Sequence, residues 1–179
     1  MTERLSLVLG GARSGKSSFA LKLANRKGKE KFYLATAEAF DEEMKKRIEH
    51  HKKERTGSWK TIEEALDITK VLKKLRSQCD VVVIDCMTLW LSNLLHQGYD
   101  DEAIAIKTKE LLDTIKGNDY LLIAVSNEVG MGIVPDNKLA RDFRDLAGRL
   151  NQEMAAAADE VYFLLSGIPQ KIKSSGGTE

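Results

Sequence analysis

A nine-residue stretch near the amino terminus, GGARSGKSS, sets the strongest limit on how this chain can fold. Gly10, then Gly11, Ala12, Arg13 and Ser14, then Gly15-Lys16-Ser17 satisfy the pattern G-x-x-x-x-G-K-[ST]. The apolar run LSLVL precedes it and a helical pattern follows. In such a loop the backbone N–H groups close around phosphate oxygens, and glycines leave them room to approach. Lys16 is placed to reach the β- and γ-phosphates, and the Ser17 hydroxyl to ligate Mg²⁺. A helix N-terminus adds a dipole that favours the anion. The bland alternative is a glycine-rich strand-to-helix turn with no ligand.

The rest of the chain fits the sheet that such a loop needs. LSLVL (Leu5–Leu9), KFYLAT (Lys31–Thr36), DVVVID (Asp80–Asp85), YLLIAVS (Tyr120–Ser126) and DEVYFLLS (Asp159–Ser166) read as strands. Several are apolar at consecutive positions, as in a sheet covered on both faces. Helical patterns occupy Ser17–Arg26, Asp41–Arg55, Thr61–Arg76, Asp101–Lys116 and Lys138–Ala158, with another helix beginning near Met87. This alternation predicts an α/β, P-loop NTPase-like three-layer fold: a mainly parallel central sheet flanked by helices. At 179 residues the chain reads as one nucleotide-binding catalytic domain over residues 1–173, with a flexible tail over 174–179.

Composition excludes several classes. A net charge of +1 gives no basis for a broad nucleic-acid or membrane surface. No apolar run approaches the roughly 20 residues that span a bilayer. Cys79 and Cys86 are too few and too irregular for a disulfide framework, and no secretion signal is present, so a cytoplasmic protein is expected.

Two further features bear on chemistry. Asp85 ends an apolar strand, where a carboxylate holds Mg²⁺ beside a phosphate loop; alternatively it caps the helix near Met87. His50 and His51 lie in RIEHHKKER, within the helical pattern Asp41–Arg55, in which Met44, Ile48 and His51 share one face. Both histidines read either as solvated neighbours or as a nucleophile for phosphorus. Face logic then selects His51, with Arg47, Lys52, Lys53 and Arg55 offsetting phosphate charge.

GGARSGKSSFA, RIEHHKKER with a following Trp, VVIDCMTLWLSNLL and the long SNEVGMGIVPDNKLARDFRDLAGRLNQEMAAAADEVYFLLSGIPQKIK together resemble one family. It is the bifunctional adenosylcobinamide kinase/adenosylcobinamide-phosphate guanylyltransferases of cobalamin biosynthesis. The resemblance runs from about Leu5 to Lys173. It implies phosphorylation of adenosylcobinamide by ATP or GTP, with Mg²⁺. It further implies transfer of GMP from GTP to the product through a guanylylated histidine, with release of pyrophosphate. The family pattern Arg-Ile-x-x-His falls on His51, and His50 stays the alternative. By the same resemblance Ala35, Thr36, Ala37, Lys52, Lys53, Glu54, Arg55 and Glu63 join Gly10–Ser17 and Asp85 as nucleotide contacts. Glu63 by itself reads as a carboxylate in the first turn of a helix. The resemblance also implies a homo-oligomer, a trimer, with sites near subunit boundaries.

NEVGMGIVP combines glycines with apolar Met131, Ile133 and Val134 in a loop after a strand. It suits the apolar rim of a corrin, another subunit, or a buried anchor for the next helix. In that helix Leu139, Phe143, Leu146 and Leu150 read as core, and Ala155–Ala158 as a close-packing end. A plain P-loop kinase of another small molecule, and a nucleotide-dependent switch, remain as other functional readings.

Overall fold

The computed structural model describes residues 3–38 and 59–174. The expected helix Asp41–Arg55, with His50, His51, Lys52, Lys53, Glu54 and Arg55, lies outside the described residues, as do residues 175–179 of the tail.

Seven strands, β1 (Leu5–Gly10), β2 (Lys31–Ala35), β3 (Trp59–Glu63), β4 (Val81–Asp85), β5 (Leu121–Val125), β6 (Glu160–Leu165) and β7 (Ile168–Lys173), form one sheet. Its order is β3-β2-β4-β5-β1-β6-β7. The first six strands run parallel and β7 returns antiparallel at the edge. The described helices are α1 (Lys16–Lys27), α2 (Ile68–Lys74), α3 (Met87–His96), α4 (Asp101–Lys116) and α5 (Lys138–Ala157).

The consecutive apolar residues serve two cores. Leu5, Leu7 and Leu9 join Val82, Ile84, Leu122 and Ala124 against α2, α3, α4 and α5. Val8, Val81, Val83, Leu121, Ile123 and Val125 alternate onto Ala20, Leu21 and Ala24 of α1. A one-residue slip would exchange the two sets, so register is fixed from both faces. The expected three-layer arrangement is therefore the observed one.

Three expectations are corrected. The helix expected over Thr61–Arg76 is instead strand β3 followed by a short helix from Ile68. β3 lies at the sheet edge and is only half-buried, so its pattern is weak. Its Trp59 packs edge-on against Tyr33, with ring centroids 6.3 Å apart. Glu64 Oε1 then accepts from the N–H groups of Leu66 and Asp67, both at 2.9 Å, turning the chain from β3 into α2. Second, β7 had no counterpart in the expected elements. It follows a two-residue turn in which Ser166 and Gly167 have φ of 50° and 85°, the sign a tight hairpin needs at both positions. Third, Leu139 is exposed rather than core; α5 buries Leu146, Ala147, Leu150, Asn151 and Met154, and Phe143 packs partly buried against the same core.

Candidate active site

The phosphate loop leaves β1 and enters α1 through an unusual backbone. Gly10 has φ of 148°, Arg13 of 56° and Gly15 of 90°. A Cβ on Gly10 would lie 2.6 Å from the Leu164 carbonyl oxygen and 2.8 Å from Ser14 Oγ, so only glycine fits there. Ser14 N donates to Gly11 O at 3.3 Å, and Gly167 N, in the β6–β7 turn, donates to Ser14 O at 3.0 Å. The turn thus braces the loop from outside. Whereas Asp100 and Asn137 cap α4 and α5 with side-chain oxygens, no side chain among the described residues caps α1, and its first turn carries no acid. Its free amide N–H groups and dipole therefore favour an anion.

Lys16 is buried at the loop's end. Its Nζ donates to Gly11 O at 2.5 Å and lies 3.5 Å from Ser14 Oγ. Burial lowers its pKa from the ordinary lysine range, while Cys86 and Asp85 nearby oppose that shift. A phosphate entering the loop would supply negative charge that offsets the hydration this ammonium has lost on burial.

Asp85 ends β4 and is half-buried. Its Oδ2 accepts the Tyr33 hydroxyl at 2.7 Å. The alternative role of Asp85 as a helix cap is not realised: Cys86 holds that position, and no side chain among the described residues caps α3. The Asp85–Cys86 peptide bond is cis. Thr36 is fully buried and latches β2 to β4: its hydroxyl donates to Cys86 O and accepts from Cys86 N, both at 2.8 Å. Thr36 O in turn accepts from Asn93 of α3 at 2.8 Å.

Register aligns the expected residues along one edge. Glu63 pairs with Ala35, Ala35 with Asp85, Asp85 with Val125, and Val125 with Val8, two residues before the loop begins. The expected contacts Gly10–Ser17, Ala35, Thr36, Ala37, Asp85 and Glu63 thus share the carboxyl edge of the sheet. Four strand spacings of about 4.8 Å put Glu63 roughly 19 Å from the loop strand. The first-turn role read for Glu63 is corrected, since it closes a strand and Glu64 holds the helix entry.

Sequence reading missed two supports of the site. Tyr33 was legible only through register: it pairs with Val83, so its side chain shares a sheet face with Asp85 two residues on. The Gly167 brace needed the hairpin that sequence reading did not find.

A phosphate loop on β1, an acid at the end of β4 and a parallel sheet between helices define a P-loop nucleotide-dependent domain. Solved structures of the same architecture agree on the fold. The RadB recombinase aligns with a TM-score of 0.54 at 15% identity, over 89% of this chain and 73% of its own. A prototypical type III secretion ATPase of pathogenic bacteria aligns at 0.58 and 11% identity, over 90% of this chain and 51% of its own. Residues 6–172 match the family described as cobinamide kinase / cobinamide phosphate guanyltransferase, and the chain belongs to that family. It is 40% identical to the bifunctional adenosylcobalamin biosynthesis protein CobU of Escherichia coli K12, over 93% of this chain and 98% of that protein. It is 41% identical to the protein of the same name from Salmonella typhimurium, with the same coverage. CobP of Pseudomonas aeruginosa is also 41% identical, over 93% of this chain and 96% of its own. The chain is accordingly a bifunctional enzyme, a kinase and a guanylyltransferase of cobalamin biosynthesis.

Proposed function

We propose that a single triphosphate site serves both reactions and that His51 carries the guanylyl group between them. The buried Lys16, held in a loop that opens onto an uncapped helix N-terminus, carries the one-site reading. In the kinase step the γ-phosphoryl group of ATP or GTP passes to the side-chain hydroxyl of adenosylcobinamide. In the second step an imidazole nitrogen of His51 attacks the α-phosphorus of GTP, the bond to the α–β bridging oxygen breaks, and pyrophosphate leaves. A phosphate oxygen of adenosylcobinamide phosphate then attacks that phosphorus and releases the histidine. His50, its neighbour, is the alternative carrier.

The donor types present fit Mg²⁺: a Ser17 hydroxyl and an Asp85 carboxylate are hard oxygen ligands. Among the described residues no group of three or more His, Cys, Asp or Glu side chains could hold a metal, so phosphate oxygens and water would complete the sphere. When bound there, the ion offsets charge on the β- and γ-phosphates. Glu63, at the far end of the sheet edge, suits a guanine whose N–H groups donate to its carboxylate, with Ala35, Thr36 and Ala37 between. Lys52, Lys53, Glu54 and Arg55 complete the nucleotide contacts.

No described helix is long and apolar enough to cross a membrane. We infer a cytoplasmic homo-oligomer, a trimer, whose partners are the corrinoid and the nucleotide rather than nucleic acid.

With α-labelled GTP and Mg²⁺, label should stay on the denatured wild-type protein. His51→Ala should lose that label and guanylyl transfer while keeping kinase activity, and Lys16→Ala should lose all three. Label lost in His50→Ala alone would move the assignment by one residue. Label kept by both histidine variants would refute the covalent route.

A further inference from the structure

Strand order puts β5 between β1, which carries the phosphate loop, and β4, which carries Asp85. The segment leaving the carboxyl end of β5 therefore stands between the two groups that handle the triphosphate. That segment is Ser126-Asn127-Glu128, and it is tied down from three sides. Ser126 N donates to Val8 O and Glu128 N to Gly10 O, both at 3.0 Å, so the chain follows β1 to the first residue of the loop. Asn127 Nδ2 donates to Thr88 Oγ1 at 3.1 Å, beside Cys86 at the start of α3. The buried Asn151 of α5 accepts from Ser126 Oγ at 2.6 Å and donates to Asn127 O at 3.0 Å.

This anchored segment ends in a carboxylate. Glu128 is half-buried, and its Oε1 accepts the Gly130 N–H at 2.7 Å. Its Oε2 has no hydrogen-bond partner among the described residues. Directly after it comes an exposed apolar run through Val134. Other acids at this edge are less suitable. Asp85 is the carboxylate assigned to Mg²⁺ and also accepts from Tyr33, while Glu38, just past β2, and Glu63, the last residue of β3, lie on the side of β4 away from the loop.

Phosphorylating an alcohol requires a group that takes its proton. We propose that Glu128 is that group, the general base of the kinase reaction. The proposal rests on the kinase activity of the family and adds the residue that activates the acceptor. The hydroxyl proton passes to the Glu128 carboxylate as the alcohol oxygen bonds to the γ-phosphorus. The bond from that phosphorus to the β–γ bridging oxygen breaks, and the nucleoside diphosphate leaves with Lys16 against its phosphates. Guanylyl transfer needs no such base, because its acceptor is a phosphate already ionised.

Glu128→Gln is the discriminating variant, since its amide oxygen still accepts from Gly130 N–H and keeps the turn. With adenosylcobinamide, ATP and Mg²⁺, its kinase kcat should fall about 100-fold or more, the scale of a lost general base. The KM for nucleotide should not change. Labelling of the protein by α-labelled GTP, and transfer to preformed adenosylcobinamide phosphate, should persist. A kinase kcat within a few-fold of wild type would overturn the proposal. So would a parallel loss of labelling, which would make Glu128 part of the nucleotide site. A wild-type enzyme that fails to phosphorylate adenosylcobinamide would instead remove the kinase activity on which the proposal stands, and the proposal with it.

Discussion

At the scale of single residues, the site is a set of charges placed where burial makes them costly to leave unpaired. Lys16 and Asp85 influence one another across β5, and Tyr33 fixes the carboxylate by donating to one of its oxygens. Cys86, next in sequence, does not compete as a nucleophile. Burial pushes its thiol up to about 11, with Asp85 adding to the shift, so at neutral pH it stays a thiol. Asp85→Asn removes charge but little volume, and Tyr33 can still donate to the remaining oxygen. The variant should therefore unfold at nearly the wild-type temperature yet need more Mg²⁺ for half-maximal turnover in both reactions. A metal titration of each activity checks this, and wild-type behaviour at limiting Mg²⁺ would leave Asp85 with a structural role only. The phosphate loop was legible in the sequence because it demands residue types at a fixed spacing, and Asp85 was placed at the sheet edge by the apolar strand it closes. Tyr33 and Glu128 were not, because their roles depend on which strands become neighbours.

At the scale of elements, legibility followed burial. β1, β2, β4, β5 and β6 were readable because they are largely buried, mostly with apolar residues in unbroken runs, and α4 and α5 because their apolar spacing is long and regular. The two edge strands escaped for the opposite reason. β3 is half-exposed and its polar positions look helical, while β7 is mostly exposed and contains Pro169. Proline in a strand is tolerated at an edge and weakens a sequence-based assignment. The β6–β7 hairpin matters beyond its own pairing, since its turn supplies the Gly167 N–H that holds Ser14 O. Gly167 has φ of 85° with open space where a Cβ would go, so Gly167→Ala adds conformational strain rather than a clash. The cost should be about 1–2 kcal/mol of unfolding free energy, the penalty of a left-handed backbone with a side chain. If the turn braces the loop, nucleotide affinity should fall as well. Denaturant unfolding and nucleotide titration on the same variant separate the two effects, and lost stability with unchanged affinity would show that the loop holds its shape unaided.

At the scale of the whole molecule, Leu165, Ile168 and Ile172 of the β6–β7 hairpin and Ile106 of α4 are also exposed, but the three most exposed large apolar residues, Ile133, Met131 and Leu139, fall close together. Val129, Met131, Ile133 and Val134 follow one another in the loop after β5, and Leu139 opens α5 just beyond, with Met131 79% and Ile133 98% exposed. Isolated exposed apolar residues are ordinary, but a contiguous run marks a contact surface. The sequence reading left three uses for this run, and burial removes one: the loop is not an internal anchor. The homo-oligomer proposed above would set a second copy of the chain on this run, and that occupant would also cover Leu139, which periodicity assigned to a core and which is exposed in the single chain. A net charge of +1 gives copies little reason to repel one another. Oligomers of identical chains close by repeating one such contact, so a single charged substitution acts at every interface at once. If the proposed oligomer closes through this run, Ile133→Asp should sediment as monomer where the wild type sediments as oligomer, with the circular dichroism of the fold unchanged, because the side chain is 98% exposed on its own chain. Because Glu128 begins the same loop, dissociation should also lower kinase turnover. An Ile133→Asp protein that sediments as wild type but shows a raised KM for adenosylcobinamide would assign the run to the corrinoid instead.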